Sequence, residues 1–374
     1  MRILVTGASG FIGSFIVSEG LERGHDMWAG VRRSSSRQYL SDPRTHFAEL
    51  DLSSRETLIQ QLMELKASMN GECWDYVIHA AGATKSLKRE GFFRTNTEGT
   101  KNLVTALRES GMMPRRLVFI SSLSIFGAIK ERPTPNPSRQ GGASSGLNED
   151  ALRQPLSPPS REGSGVGLYP KITDTDTPQP NTAYGESKLA AERWLQEQAD
   201  VPWVILRPTG VYGPRERDYF LMAQSIKQHV DFAVGYKPQE ITFVYVRDVV
   251  QAVYLACERD SNKVEHRAFF LSDGESYNSR TFSDLLQAEM GVRFVLHIKA
   301  PLWFLRMICT VNGTFCRWMG KLTTLNMDKY HILSQRNWNC DINPARKLLG
   351  YDPKWKLEAG VKESVAWYKA EGWL

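Results

Sequence analysis

The chain has 374 residues, 41% hydrophobic and 24% charged, a balance that supports a buried core and excludes a disordered or fibrous protein. Its formal charge is +6, yet Lys and Arg are scattered with no basic run among aromatics, which argues against nucleic-acid binding and leaves a mild preference for anionic ligands. Five cysteines and seven histidines without paired ligand spacing exclude a disulfide framework and a metal cluster, and they point to reduced thiols in the cytoplasm.

"RILVTG" reads as the first strand, residues 11 to 23 as a helix, "DMWAGV" as a strand, 54 to 68 as a helix and "YVIHAAG" as a strand. Met1 leads straight into the first strand, so no signal peptide is expected, and no run reaches the roughly 18 apolar residues of a membrane span. A helix from about 92 to 110, the strand "RLVFISS", the helix "AYGESKLAAERWLQEQ" and the strand "WVILRP" continue the alternation. Strands alternating with helices predict βαβ units and a parallel sheet covered on both faces, a Rossmann-type doubly wound α/β fold. Residues 131 to 175 break the rhythm. They are rich in Pro, Gly and Ser and nearly free of large apolar side chains, so a flexible polar insertion is expected there. The dinucleotide-binding domain is expected over 1–214. Residues 215–374 are expected to form mainly a smaller C-terminal α/β substrate lobe, interleaved with that domain.

"VTGASGFIG" sets Gly7, Gly10 and Gly13 between the first strand and the first helix. Gly7 permits a tight turn, Gly10 lets the backbone approach a pyrophosphate, and Gly13 allows close helix–strand packing. With Ser9, Phe11 and Ile12, they form the expected phosphate loop, the helix N-terminus offering N–H groups and positive dipole. A bare glycine triplet would also fit an ordinary strand–helix turn; the strand before it and the helix after it favour the binding reading.

The T-G-x-x-G-x-x-G spacing resembles the short-chain dehydrogenase/reductase superfamily, and the chain length resembles its extended branch, the NAD(P)-dependent epimerase/dehydratase family. Outside 131–175 the resemblance covers most of the chain, and it is nearest to reductase and hydroxysteroid-dehydrogenase-like members. It implies that Asp51 and Leu52 of "ELDLSS" contact adenine, and that Ala80, Ala81 and Gly82 of "IHAAG" face the cofactor. It further implies that Asn96 of "NTEGTKNL" braces the central strand, and that Pro208 and Val211 of "RPTGVYGP" touch the nicotinamide end. It also implies a homodimer, with helices 92–110 and 184–198 as candidate contacts.

An NAD site needs a carboxylate about 20 residues past the glycines, for the ribose 2′-hydroxyl. That place falls on Val31, followed by Arg32 and Arg33. Two guanidiniums suit a 2′-phosphate, so NADP is the expected cofactor, with NAD as the alternative; solvated loop charges are the plainer reading of both arginines.

In the family so resembled, Tyr184 of "YGESK" passes a proton to or from the reacting oxygen. Lys188, one helical turn on, favours the phenolate, and Ser122 hydrogen-bonds the substrate oxygen. The 62 residues between Ser122 and Tyr184 exceed the family's usual gap, and the insertion accounts for the excess. Ser124, Phe126 and Tyr212 are the expected substrate contacts. His79 reads as a packing residue.

Two departures bear on the substrate. Phe126 replaces a frequent tyrosine. Ile241 stands where nucleotide-sugar enzymes carry a diphosphate-binding arginine, a role for which Arg207 or Arg247 could substitute. "APLWFLRMICTVNGTFCRWMG" carries Leu302, Trp303, Leu305, Ile308, Phe315, Trp318 and Met319 among basic residues. Core packing, an apolar substrate wall and an interfacial helix in peripheral contact with a membrane all remain open for it. The expected activity is NADP-dependent interconversion of an alcohol and a ketone or aldehyde on a bulky apolar molecule. A nucleotide-sugar epimerase or dehydratase is the alternative, and a non-catalytic dinucleotide-binding regulator is the third reading.

Overall fold

The computed structural model describes residues 1–133, 168–319, 323 and 326–374. Most of the expected insertion therefore lies outside the described residues.

Seven parallel strands form the central sheet: β1 (Arg2–Thr6), β2 (Asp26–Val31), β3 (His46–Glu49), β4 (Tyr76–His79), β5 (Arg116–Ile120), β6 (Trp203–Pro208) and, much later, β11 (Arg267–Leu271). Their spatial order is β3-β2-β1-β4-β5-β6-β11, and every neighbouring pair runs parallel. The order reverses between β1 and β4, and in such sheets ligands bind outside the carboxyl ends at that switch point. Arg116–Ile120 is buried throughout, as a central strand flanked by helices on both faces requires.

One face is covered by α1 (Phe11–Glu22) and α7 (Val246–Glu258). The other carries α2 (Arg55–Ser68), α4 (Gly99–Glu109) and α5 (Ala183–Gln196). α2 begins where the sequence supplies a cap, the Ser54 side chain accepting from the Thr57 amide. The helix expected over 92–110 is a short α3 (Arg89–Phe92), a π-helical turn over Phe93–Glu98 and then α4. Such wide turns inside a helix are rare and cluster at functional sites; this one carries the buried Asn96.

After β6 the chain builds three small pairs: β7 (Gly210–Tyr212) with β10 (Phe243–Tyr245), β9 (Glu240–Ile241) with β12 (Tyr277–Asn278), and β8 (Val230–Val234) with β13 (Leu296–Ala300). The later helices are α6 (Asp218–Lys227), α8 (Ser261–Val264), α9 (Thr281–Met290), α10 (Leu302–Trp318), α11 (Met327–Ser334) and α12 (Leu357–Ala370). An aromatic core of Tyr212, Phe243, Tyr245 and Phe282 binds α6, α9 and α12 together. β11 and α7 return to the main sheet, so residues after 215 contribute to both bodies.

Residues 168–175 correct the expected extent of the loop. Tyr169 is buried and donates to the Pro238 carbonyl at 2.9 Å, and the fully buried Ile172 bridges to Cys340. Their anchors lie 69 and 168 positions away, where local composition carries no signal.

Candidate active site

The glycine loop is tight because its backbone leaves no room for side chains. Gly7 takes φ +71°, and a Cβ there would stand 2.6 Å from the Ala81 backbone. A Cβ on Gly13 would stand 2.3 Å from the Gly7 carbonyl oxygen. The loop is thus pressed against the end of β4, the segment holding Ala80, Ala81 and Gly82. Gly10 caps α1 with no side-chain hydrogen bond, so the first N–H groups of the helix remain free for an anion. Ser9 lies half-buried in the loop, while Phe11 and Ile12 turn away and pack against the C-terminal lobe.

Asn96 braces the cofactor-facing edge, its side-chain oxygen 3.2 Å from where a Gly82 Cβ would be. Its side-chain oxygen accepts from the Ala83 amide at 2.7 Å, and its nitrogen donates to the Ala83 carbonyl at 3.1 Å and to Ser187 Oγ at 2.9 Å. His79 is fully buried between Thr6 Oγ1 (2.7 Å) and Thr100 Oγ1 (2.9 Å) and stacks on Phe119. Burial, with the Lys188 charge adding to it, pushes its pKa down to about 3. It is a neutral packing residue, not a base.

The trio assembles where β5 ends and α5 begins. Ser122 caps the short turn Leu123–Ile125, its Oγ accepting from the Ser124 amide at 3.2 Å and from Ser124 Oγ at 3.0 Å. Its hydroxyl lies close enough to the Tyr184 hydroxyl to favour the phenolate. Thr182 caps α5 by accepting from the Gly185 amide at 3.0 Å. A Cβ on Gly185 would meet the Ser124 carbonyl oxygen at 2.6 Å, so the glycine of "YGESK" is what lets the helix approach the serine turn. Tyr184 is half-buried, edge-on to Phe92 at 6.4 Å. Burial raises its pKa above the ordinary phenol value, and the Ser122 hydrogen bond offsets part of that rise.

Lys188 is buried. Its Nζ donates to the Ile120 carbonyl at 2.8 Å and lies 3.1 Å from where a Gly82 Cβ would be. The ammonium is therefore wedged between the end of β5 and the cofactor-facing end of β4. Burial pushes its pKa down to about 8 from 10.5, with Glu192 pulling the other way. The cost has a pH signature. Below pH 8 both folded and unfolded chains hold the proton, and the fold carries the whole penalty. Between pH 8 and 10.5 the unfolded chain binds more protons, so stability rises with pH, by on the order of 3 kcal/mol. In urea unfolding across that window the wild type is expected to gain on Lys188→Met by about that amount, against the falling trend that the buried thiols Cys257 and Cys340 impose on both proteins. A difference between the two that does not change with pH would assign the rise to another group.

The remaining expected residues divide. Asp51 accepts from the amide and hydroxyl of Ser53, which hold its pKa low, and Arg32 lies close enough to add to the effect. Leu52 is half-buried beside it, its carbonyl held by Asn102. Arg32 and Arg33 are exposed at the end of β2, with no ion-pair partner among the described residues. Pro208 is buried within β6, and Val211 is half-buried in β7. Ser124 joins Ser122, but Phe126 and Tyr212 correct the expected substrate list. Phe126 is buried in the core, edge-on to Phe270, and Tyr212 is buried among Tyr219, Phe243, Tyr245 and Phe282. Both are apolar enough for a core that the chain assembles from distant segments.

Two features escaped the sequence reading. A cleft of about 320 Å³ opens between the first turn of α5 and α10–α11, lined by Lys88, Arg89, Phe92, Glu186, Asp328 and His331 among others. Arg215, at φ +73°, lies over the rings of Phe15 and Tyr39 at 4.4 Å each and donates to Ser14 Oγ at 2.9 Å, tying α1 to the C-terminal lobe. Its one legible signal was its place directly after "VYGP".

This geometry serves proton transfer at a carbinol or carbonyl oxygen beside a bound dinucleotide, the chemistry of enzymes of the extended short-chain dehydrogenase/reductase type. The chain belongs to the NAD dependent epimerase/dehydratase family, whose sequence model matches residues 3–145 and 163–272, more than half of its length. It is 22% identical to a 3 beta-hydroxysteroid dehydrogenase/Delta 5-->4-isomerase of Mycobacterium tuberculosis, over 98% of this chain and 90% of that protein. It is 26% identical to a 2-alkyl-3-oxoalkanoate reductase of Stenotrophomonas maltophilia, over 98% and 99%. Among solved structures, UDP-glucose 4-epimerase of Thermotoga maritima with UDP-glucose superposes with a TM-score of 0.69 at 21% identity, covering 99% of each chain. The protein is an NAD(P)-dependent enzyme of this type, an oxidoreductase or epimerase. Among the described residues no helix is long and apolar enough to cross a membrane.

Proposed function

We propose that the protein is an NADP-dependent oxidoreductase that interconverts an alcohol and a ketone or aldehyde on a bulky apolar small molecule. The observation that carries the cofactor choice is the end of β2: two exposed arginines without carboxylate partners among the described residues, and no acid where a 2′-hydroxyl would need one. The glycine cradle, the uncapped α1 and the Lys188 ammonium against Gly82 fit the rest of a dinucleotide. A bound nicotinamide supplies or accepts hydride at the substrate carbon. Tyr184 gives or takes the proton at the oxygen, Ser122 donates to that oxygen as charge develops, and Lys188 holds positive charge below both.

The substrate reading is supported by the fate of the candidate diphosphate ligands. Ile241 carries no charge, Arg207 is buried in an ion pair with Glu192 at 2.6 Å, and Arg247 pairs with Glu363 at 3.0 Å. Relatives named for a hydroxysteroid and for an alkyl-oxoalkanoate support an apolar substrate. The five free cysteines support a reducing cytoplasm, and we infer a homodimer from the family resemblance. The second reading, a nucleotide-sugar epimerase, is favoured by the structural likeness to UDP-glucose 4-epimerase.

Fluorescence titration is expected to show NADPH binding more tightly than NADH, with Arg32→Ala/Arg33→Ala weakening NADPH by about 10- to 100-fold and leaving NADH unchanged. NADH binding that is tighter and indifferent to the substitution would put the epimerase first. Net NADPH consumption with an apolar ketone, against interconversion of UDP-sugars with no net cofactor change, then separates the two reactions.

A further inference from the structure

The C-terminal lobe leaves a run of large apolar side chains exposed, and contiguous exposed apolar patches mark interaction surfaces. On α10, Trp303, Met307, Val311, Phe315 and Trp318 recur at helical spacing and form one outward stripe, Trp303 69% exposed and Trp318 82%. The inward side carries the buried Leu305 and Cys309. This removes core packing as an account of the stripe. The preceding strand β13 carries further exposed apolar side chains. Phe294, just before it, and Leu296 and Ile298 within it alternate outward, and Ile298 stands in register with Phe232 of β8. Phe294 is 68% exposed and Phe232 62%. Of the intervening residues, Val295 is buried and His297 bonds the buried Asp231, which also accepts from Ser283, while Lys299 near the strand's end is exposed.

The charge pattern selects the occupant. Between Glu289 and Asp328 the sequence has no acidic residue, while Arg293, Lys299, Arg306, Arg317 and Lys321 all fall there. Lys299 and Arg306 are exposed beside the apolar residues, as are Lys227 and Lys237 at either end of β8. Acids on neighbouring elements are engaged: Asp231 is buried against His297, Asp284 pairs with Arg280, and Asp328 accepts from the Ala183 amide across the cleft. A second copy would set cation against cation. An anionic lipid surface attracts Lys and Arg, accepts aromatic rings at its headgroup boundary and needs no matching shape. α10 has 17 residues and carries basic residues within it, so it would lie in the plane of the interface rather than span it.

We propose that α10 and the outward face of β8–β13 dock the protein on an anionic lipid bilayer. The inner side of the same helix lines, through Gly313, the cleft at the first turn of α5, and α11 adds Met327. Docking therefore places the rim of the cleft at the lipid surface, where an apolar substrate would be dissolved. That last consequence rests on the proposed substrate class; the docking itself does not.

The test is co-sedimentation of the full chain with sucrose-loaded vesicles of phosphatidylcholine alone or of equimolar phosphatidylcholine and phosphatidylglycerol, with sedimentation velocity of the protein alone. The wild type is expected to pellet with the anionic vesicles about tenfold more strongly than with neutral ones, less so at high salt. Trp303→Ser/Phe315→Ser/Trp318→Ser is expected to lose about tenfold or more of that binding, and Lys299→Glu/Arg306→Glu to lose the anionic preference. Both replace exposed side chains, so their thermal midpoints and NADPH affinity are expected to match the wild type. Absence of wild-type binding to either vesicle overturns the proposal, as does binding that both variants retain. A dimer that the triple variant dissociates, without vesicle binding, assigns the surface to a second copy. Ketone reduction by a protein that ignores vesicles would overturn the docking and leave the activity standing.

Discussion

Tyr184→Phe is expected to lower kcat by about 10²- to 10⁴-fold while cofactor affinity and stability stay near wild type. The substitution removes one hydroxyl from a ring whose edge contact with Phe92 persists, so the packing of α5 is unchanged. It leaves the substrate oxygen without a proton source. Both the oxidoreductase and the epimerase reading require that proton, so the result tests the trio independently of the substrate. Single-turnover hydride transfer, followed by nicotinamide absorbance, is the measurement. A variant retaining a tenth or more of wild-type turnover would show that the proton passes elsewhere.

Arg207→Met is expected to destabilise the fold by about 3–5 kcal/mol. Arg207 of β6 and Glu192 of α5 are both buried and joined at 2.6 Å, with the guanidinium over the rings of Phe126 and Phe270. Removing the cation strands a carboxylate in the core; removing both charges does not. Glu192→Gln/Arg207→Met is therefore expected to recover most of the loss in urea unfolding. A single variant as stable as the wild type would mean that Glu192 reaches water or a proton. Because Glu192 also supports the Lys188 charge, the double variant is expected to lower the Lys188 titration further and to shift the pH profile of turnover with it.

Much of the architecture was legible because it is written in local pattern. The apolar runs of β1, β4, β5 and β6 and the glycines before α1 are all local features. β3 escaped because four residues at the sheet edge, "HFAE", hold only one buried side chain and show no period. The π-helical turn at Phe93–Glu98 escaped because its reason is the reach of Asn96 to Ala83 and Ser187, a tertiary demand.

The same division runs through the site. Tyr184 and Lys188 share a helix face by spacing alone, and Ser122 ends a recognisable strand, but the roles expected of them came from the family resemblance and not from that spacing. The sequence by itself also determined that no carboxylate stands after β2 and that the stretch from Met290 to Met327 is basic without acids. Only the tertiary structure decided that Phe126 and Tyr212 are core, that Arg207 and Arg247 are already paired, and that the α10 stripe faces outward. Residue type sets what a side chain can do. Whether it meets a ligand, a partner charge or its own core depends on contacts between distant segments, such as Arg116 with Glu265 across 149 positions, which local periodicity does not encode.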